Sequence, residues 1–205
     1  MIDLYSAGTA NGFRASVALE EAGLSYRVHK VDLGKGEHRS AEFLKFNPAG
    51  LIPIIVDQDG PGGTPVTLSQ SGAIILYIAE KTGQFLPKDA ARRAVTMQWF
   101  MQGATDVAAT SGAIVRLENS VPEKTLSSID YFRQRLLGFF SVCDAQLAGR
   151  AYLSDELSVA DLMLYPNFAL RKALIDQAGG FANLQRWGTT MAMRPAVQKG
   201  MSIFG

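Results

Sequence analysis

The apolar and polar positions along this chain change their rhythm near residue 83, and the two parts predict two kinds of structure. Residues 2–5 form a short apolar run broken only by Asp3, a strand candidate, and the small and polar residues 6–12 form a loop after it. From 13 to 22 the spacing turns helical. Ala15, Leu19 and Ala22 share a stripe that excludes Glu20 and Glu21, and Gly23 suits the C-terminal cap. Residues 26–33 read as a second strand, so the opening segment is a β-α-β unit whose strands should run parallel through a right-handed crossover. A polar loop at 34–39 and a short helix capped by Ser40 lead to Pro48. Next come a strand over 52–56, a turn rich in Gly and Asp, and a return strand over 66–68. Ser69, Gln70 and Ser71 then open a helix that runs to Thr82 and stops at Gly83. The fold expected for residues 1–83 is an α/β domain, β-α-β followed by β-β-α, with a four-stranded mixed sheet.

Residues 84–90, with Pro87, look like a linker, and beyond them the strand signals cease. Residues 91–205 are expected to form an all-helical domain. One long helix covers 92–116, a second opened by Pro122 covers 123–147, a third starts at Ser158, and the last runs over 183–193 and stops before Pro195. Ser158 and Asp161 stand three apart, the spacing of a capping box with Asp as the acceptor.

Composition narrows the setting. With 47% hydrophobic and 19% charged residues the chain has the make-up of a soluble globular protein. A net charge of +1 gives no argument for nucleic acid or an anionic membrane as partner. The first residues lack a basic stretch and include Asp3, unlike a signal peptide, and the longest apolar run, 73–79, is too short to span a bilayer. Cys143 is the one cysteine, so no internal disulfide is possible, and the expected location is the reducing cytoplasm.

Three stretches offer chemistry. The loop 6–12 lies at the carboxyl end of a strand and at the start of a helix, where the helix dipole and open N–H groups favour an anion. Thr9 and Asn11 add a hydroxyl and an amide that could donate to a thiolate, or could simply cap the helix. Ile52-Pro53 opens a strand; a trans bond would make it an ordinary strand start, and a cis bond would turn the backbone groups of Ile52 outward toward an extended peptide-like ligand. Gln70 and Ser71 mark a second helix start suited to an anion, or a plain cap beside a solvent-facing amide. Two anion sites flanking such a strand would suit a small peptide carrying carboxylates and a thiol.

With the order strand–loop–helix, then NPAGLIP, then LSQSGAIILYIAEKTG, the chain resembles a glutathione transferase; SVADLMLYP and RWGTTMAMRPAV resemble that family's C-terminal half. The TANG loop and the DLGKGEH segment look most like the bacterial Nu class, whose members are disulfide-bond oxidoreductases. The resemblance implies a thioredoxin-like N-terminal domain that holds glutathione as co-substrate. It further implies that Ile52, before cis-Pro53, pairs with the cysteinyl part, that Gln70 and Ser71 hold the γ-glutamyl part, and that His38 reaches the glycyl carboxylate. His38 stands where that class commonly has Gln, and Gln70 where a Glu is often found. An Arg from the second domain commonly reaches the site; the matching position is Tyr131, with Arg133 and Arg135 near it, and Arg133 is the candidate.

Other catalytic groups fit less well. Ala10 stands where a cysteine would be expected nearby, Tyr5 belongs to the strand pattern, Ser16 lies deep in the first helix, and Cys143 sits in an apolar helical stripe. His29 and His38 lack the companions of a metal site, so no metal is expected. The expectation is therefore a cytoplasmic homodimer that uses glutathione's own thiolate. Thr9 and Asn11 act on the sulfur in reduction of a disulfide or addition to an electrophile, and Trp99, Met101 and their neighbours line a co-substrate pocket. The rival is a non-catalytic module of the same fold that dimerises or binds a partner.

Overall fold

Four strands form one mixed sheet in the computed structural model, which describes residues 1–205. They are β1 (Ile2–Ser6), β2 (Tyr26–Lys30), β3 (Ile54–Asp57) and β4 (Val66–Ser69), ordered β2-β1-β3-β4. β1 runs parallel to β2, with Ile2 opposite Tyr26, and antiparallel to β3, with Tyr5 opposite Ile54. β4 returns antiparallel to β3, placing Ser69 opposite Ile54. The period of two buries Ile2, Leu4 and Ser6 on one face and leaves Asp3 and Tyr5 half-buried on the other. Strand β3 begins at Ile54, two residues later than its apolar pattern suggests, because Pro53 has no N–H to give the ladder.

Helix α1 (Ala10–Glu21) makes the crossover from β1 to β2 and is buried without a break from Gly12 to Leu19. An ordinary surface helix has one apolar stripe; this one is enclosed because both α3 (Ser71–Thr82) and α10 (Pro195–Ser202) pack on it. The contact with α10 is backbone-close. A Cβ on Gly200 would stand 2.7 Å from Val17 Cα, and the Ser16 hydroxyl donates to the Gly200 carbonyl at 2.7 Å. The short α2 (Ala41–Phe46), capped by Ser40, brings Phe43 into a cluster with Val31 and Ile54 against which Tyr5 and Ile52 pack. The chain thus divides into two units, Met1–Gln84 with Met193–Gly205, and Phe85–Ala192. The sequence pattern counts residues 193–205 with the helical segment 91–205, whereas their contacts are with the first unit.

The second unit is all helical. The single helix expected over 92–116 is α4 (Ala90–Met101) and α5 (Ala108–Asn119), joined by a π-helical turn, Gln102–Val107. Gly103 in that wide turn abuts α7 (Val159–Leu170), where a Cβ would come within 3.1 Å of Met163 Cγ. α6 is Leu126–Gln146, starting three residues past the expected 123, and α8 (Lys172–Ala178) and α9 (Ala182–Ala192) come after α7. The Ser158–Asp161 capping box forms as its spacing suggests. Asp161 also accepts from Leu153 N at 3.0 Å and from Trp187 Nε1 at 2.9 Å, so one buried carboxylate ties a loop, a helix start and the aromatic core together. Helix α10 is masked in the sequence by its own proline: Pro195 ends the preceding pattern, yet occupies the first turn of a new helix, where a missing N–H is no loss. No helix is long and apolar enough to cross a membrane.

Candidate functional site

The sheet register brings three chain segments to one edge of the first unit. Tyr5, Ile54 and Ser69 lie in one row across β1, β3 and β4. The loop leaving β1, the residues entering β3 and the residues leaving β4 toward α3 therefore emerge side by side.

Thr9 is the N-cap of α1, and its Oγ1 accepts from Gly12 N at 3.1 Å. The cap uses the oxygen as acceptor and leaves the hydroxyl hydrogen available to donate outward. The loop is tight enough to require glycine at its end: a Cβ on Gly12 would lie 2.0 Å from the Ala7 carbonyl oxygen. Asn11, in the first turn of the helix, is exposed at its outer side, and its Oδ1 accepts from Arg14 Nη1.

Arg14 has no place among the sequence-based candidates, and it is 1% exposed. Burial pulls its pKa down to about 10, so it is still a cation at neutral pH. Its Nη1 also donates to Ser71 Oγ at 3.3 Å, bridging the starts of α1 and α3. Its local setting gives no signal, since Asn11 three residues before it and Glu21 seven after it lie on the same helical face and make that face read as polar.

The Ile52-Pro53 bond, open to both isomers on local pattern and cis by the family resemblance, is cis. The turn before it is folded on Asn47, whose Nδ2 donates to Leu51 O at 2.8 Å and whose Oδ1 accepts from Ala49 N at 3.1 Å. Gly50 closes that turn at φ 61°. A Cβ there would stand 3.0 Å from the His38 carbonyl oxygen, so the turn bearing His38 packs directly on the approach to Ile52. His38 is part-buried, and its Nδ1 is enclosed without a hydrogen-bond partner. Ile52 is half-buried and lies outside the ladder, which starts at Ile54.

At the third segment, Gln70 is exposed, sits at φ 72° and makes no capping bond through its side chain, while Ser71 is 8% exposed as the first residue of α3. Thr9, Asn11, His38, Ile52, Pro53, Gln70 and Ser71 thus all belong to the first unit and to loops at or packed against one sheet edge. Arg133 belongs to α6 in the second unit, where its guanidinium is paired with Glu118 at 2.8 Å and Asp130 at 3.2 Å. Tyr131 on the same helix is 61% exposed, and Arg135 lies over the Phe139 ring at 5.0 Å. Trp99 is half-buried and Met101 exposed within that unit.

Groups that sequence reasoning sets aside are otherwise engaged. Tyr5 stacks on His29 at 4.4 Å, and burial, with Asp3 adding to it, raises its pKa. His29 Nε2 in turn meets Asp3 at 2.8 Å. The Ser16 hydroxyl is committed to Gly200, and burial pushes the Cys143 thiol up to about 12. No group of three or more His, Cys, Asp or Glu side chains is gathered where a metal ion could bind.

Comparison with known proteins agrees with this layout. Residues 1–80 match the family description "Glutathione S-transferase, N-terminal domain". The chain is 36% identical over 204 residues to disulfide-bond oxidoreductase YfcG of Escherichia coli, covering 98% of this chain and 94% of that protein. Its fold matches a Pseudomonas putida glutathione transferase crystallised with one glutathione disulfide per subunit (TM-score 0.91, 33% identity, 100% of this chain and 92% of that one). It also matches a Burkholderia graminis glutathione transferase with two glutathione molecules per subunit (TM-score 0.89, 33% identity, 98% and 87%). The chain belongs to the glutathione transferase family.

Proposed function

We propose that the protein reduces disulfides with glutathione, the tripeptide lying along the sheet edge with its sulfur at Thr9 and Asn11. The observation that carries this reading is the convergence of two helix starts and the Ile52 backbone at that edge, with a buried cation beneath. Ile52 pairs with the cysteinyl part, Gln70 and Ser71 receive the γ-glutamyl end, and the part-buried His38 reaches the glycyl carboxylate with the edge of its ring that is not enclosed. Thr9 O–H and Asn11 Nδ2 donate to the sulfur and stabilise it as thiolate, whose proton goes to solvent.

The thiolate attacks one sulfur of the disulfide; a glutathione mixed disulfide forms and a thiolate leaves, taking a proton from water. A second glutathione thiolate then attacks the mixed disulfide, giving glutathione disulfide and the second reduced thiol. A relative named disulfide-bond oxidoreductase and a neighbour holding glutathione disulfide support this over conjugation, for which the same thiolate would serve. We assign the protein to the cytoplasm as a homodimer, with Trp99 and Met101 at the co-substrate and Arg133 as the second-domain contact. Arg133 would have to leave or share Glu118 and Asp130 to play that part.

Reduction of 2-hydroxyethyl disulfide by glutathione tests the reading. Thr9→Ala and Asn11→Ala should each cut kcat/KM by about 10- to 100-fold, the loss of a donor to a developing charge. Wild-type rates in both variants would remove the sulfur from this loop. Absence of glutathione binding in calorimetry would favour the non-catalytic module.

A further inference from the structure

Arg14 lies beneath the proposed ligand contacts without being one of them: a guanidinium fully enclosed in the first unit, bonded to one residue of each anion-facing helix start. We infer that Arg14 is a positioning residue that sets Asn11 and Ser71 as hydrogen-bond donors toward glutathione.

The inventory of donors and acceptors leaves each group one orientation. A guanidinium has donors only and remains charged here at neutral pH. An Asn side chain has an oxygen end and a nitrogen end, and only the oxygen can face Arg14. The NH₂ of Asn11 is thereby turned to its exposed side, where it can donate to a thiolate. Left to itself, an exposed Asn would sample both orientations, and the flipped one would aim a carbonyl oxygen at the sulfur and repel the thiolate. Ser71 is fixed in the same way. Its Oγ accepts from Arg14 at 3.3 Å, so its one hydrogen points elsewhere and is left to donate to the γ-glutamyl carboxylate. One buried cation thus orients the donor at each end of the ligand. Its charge also polarises both groups in a low-dielectric setting, making each a stronger donor.

This role for Arg14 rests on the glutathione reading, and its test separates the two. Calorimetry gives the glutathione Kd, and thiolate absorbance of the complex against pH gives the thiol pKa in the site. Arg14→Met, which keeps the stem and removes every donor, should weaken binding about tenfold or more and move the bound thiol's pKa upward toward its solution value. Arg14→Lys, also donor-only, should recover part of both. Asn11→Asp, at an exposed position that tolerates change, keeps an oxygen for Arg14 but presents a second oxygen outward. It should raise the thiol pKa and weaken the binding of glutathione more than that of S-methylglutathione, which has no thiolate. A purely structural Arg14 would lower the melting temperature of Arg14→Met without moving the thiol pKa. That result overturns the inference alone; a wild-type thiol pKa in Asn11→Asp, the measurement that remains should Arg14→Met fail to fold, overturns it together with the place of Asn11 at the sulfur. A wild-type protein that binds no glutathione overturns the underlying reading and the inference with it.

Discussion

Gln70 is held at φ 72°, where a side chain costs its residue about 1 kcal/mol against the right-handed region. Its carbonyl accepts from Ile74 N at 3.0 Å, but its side chain caps nothing, so no side-chain cap imposes the conformation. Two substitutions separate backbone from function. Gln70→Gly should hold or raise the melting temperature, glycine accepting the positive φ, while glutathione binds several-fold more weakly. Gln70→Glu should bind glutathione about five- to tenfold more tightly by calorimetry, because a carboxylate makes a charge-assisted bond to the γ-glutamyl ammonium where an amide makes a neutral one. No gain in affinity would place the ammonium elsewhere. Thr9 and Ser71 are legible in the sequence because they start helices: a capping residue type stands just ahead of a helical apolar period at each. Arg14 is not legible, because periodicity treats a charged residue in a helix as surface. Its burial depends on two helices, α3 and α10, that meet α1 from distant parts of the chain.

At the scale of elements, the placement of α3 is secured at its far end as well as at Ser71. Asp57, the last residue of β3, is 1% exposed and accepts from Tyr77 OH at 2.6 Å and Lys81 Nζ at 2.9 Å, both on α3. Burial alone would raise its pKa, but the bonds from Tyr77 and Lys81 and from Asp59 N outweigh it and hold the carboxyl below its ordinary 3.8. A carboxyl depressed in the folded state contributes stability that is present above its unfolded pKa and is lost as pH falls through the folded value. Asp57→Asn should therefore melt lower than wild type near neutral pH, and the gap should close as pH drops below the unfolded value near 3.8. A gap independent of pH would mean that the amide loses packing rather than charge. The strands and α1, α3 and α7 are visible as sequence pattern, through caps and period. The break between α4 and α5 is not, because a π turn keeps every residue helical in character and depends on Gly103 fitting against Met163.

For the whole molecule, the consequential feature is that the first unit is built from both ends of the chain. Sequence order places α10 with the helices before it, and nothing local in PAVQKGMS marks its partner. What decides it is a glycine. Gly200 lets α10 approach until its carbonyl takes the Ser16 hydroxyl and its backbone lies on Val17, and Arg194 joins Glu21 through bonds of 2.6 and 2.7 Å. A methyl at this point meets backbone 2.7 Å away, which cannot move as a side chain would. Gly200→Ala should thus cost about 2 kcal/mol, offset in small part by helix propensity. The cost should fall on glutathione affinity too, since Ser16 and Arg14 share α1. Fragments make the dependence sharper. Residues 1–84 contain every proposed contact to glutathione in the first unit, yet without 193–205 they leave the Val17 face of α1 bare. Expressed alone, 1–84 should lack a cooperative melt and bind no glutathione, and joining 193–205 to it through a flexible linker should restore both. A fragment 1–84 that melts cooperatively and binds by itself would show that α10 covers a domain already stable, and that Gly200 matters for packing alone.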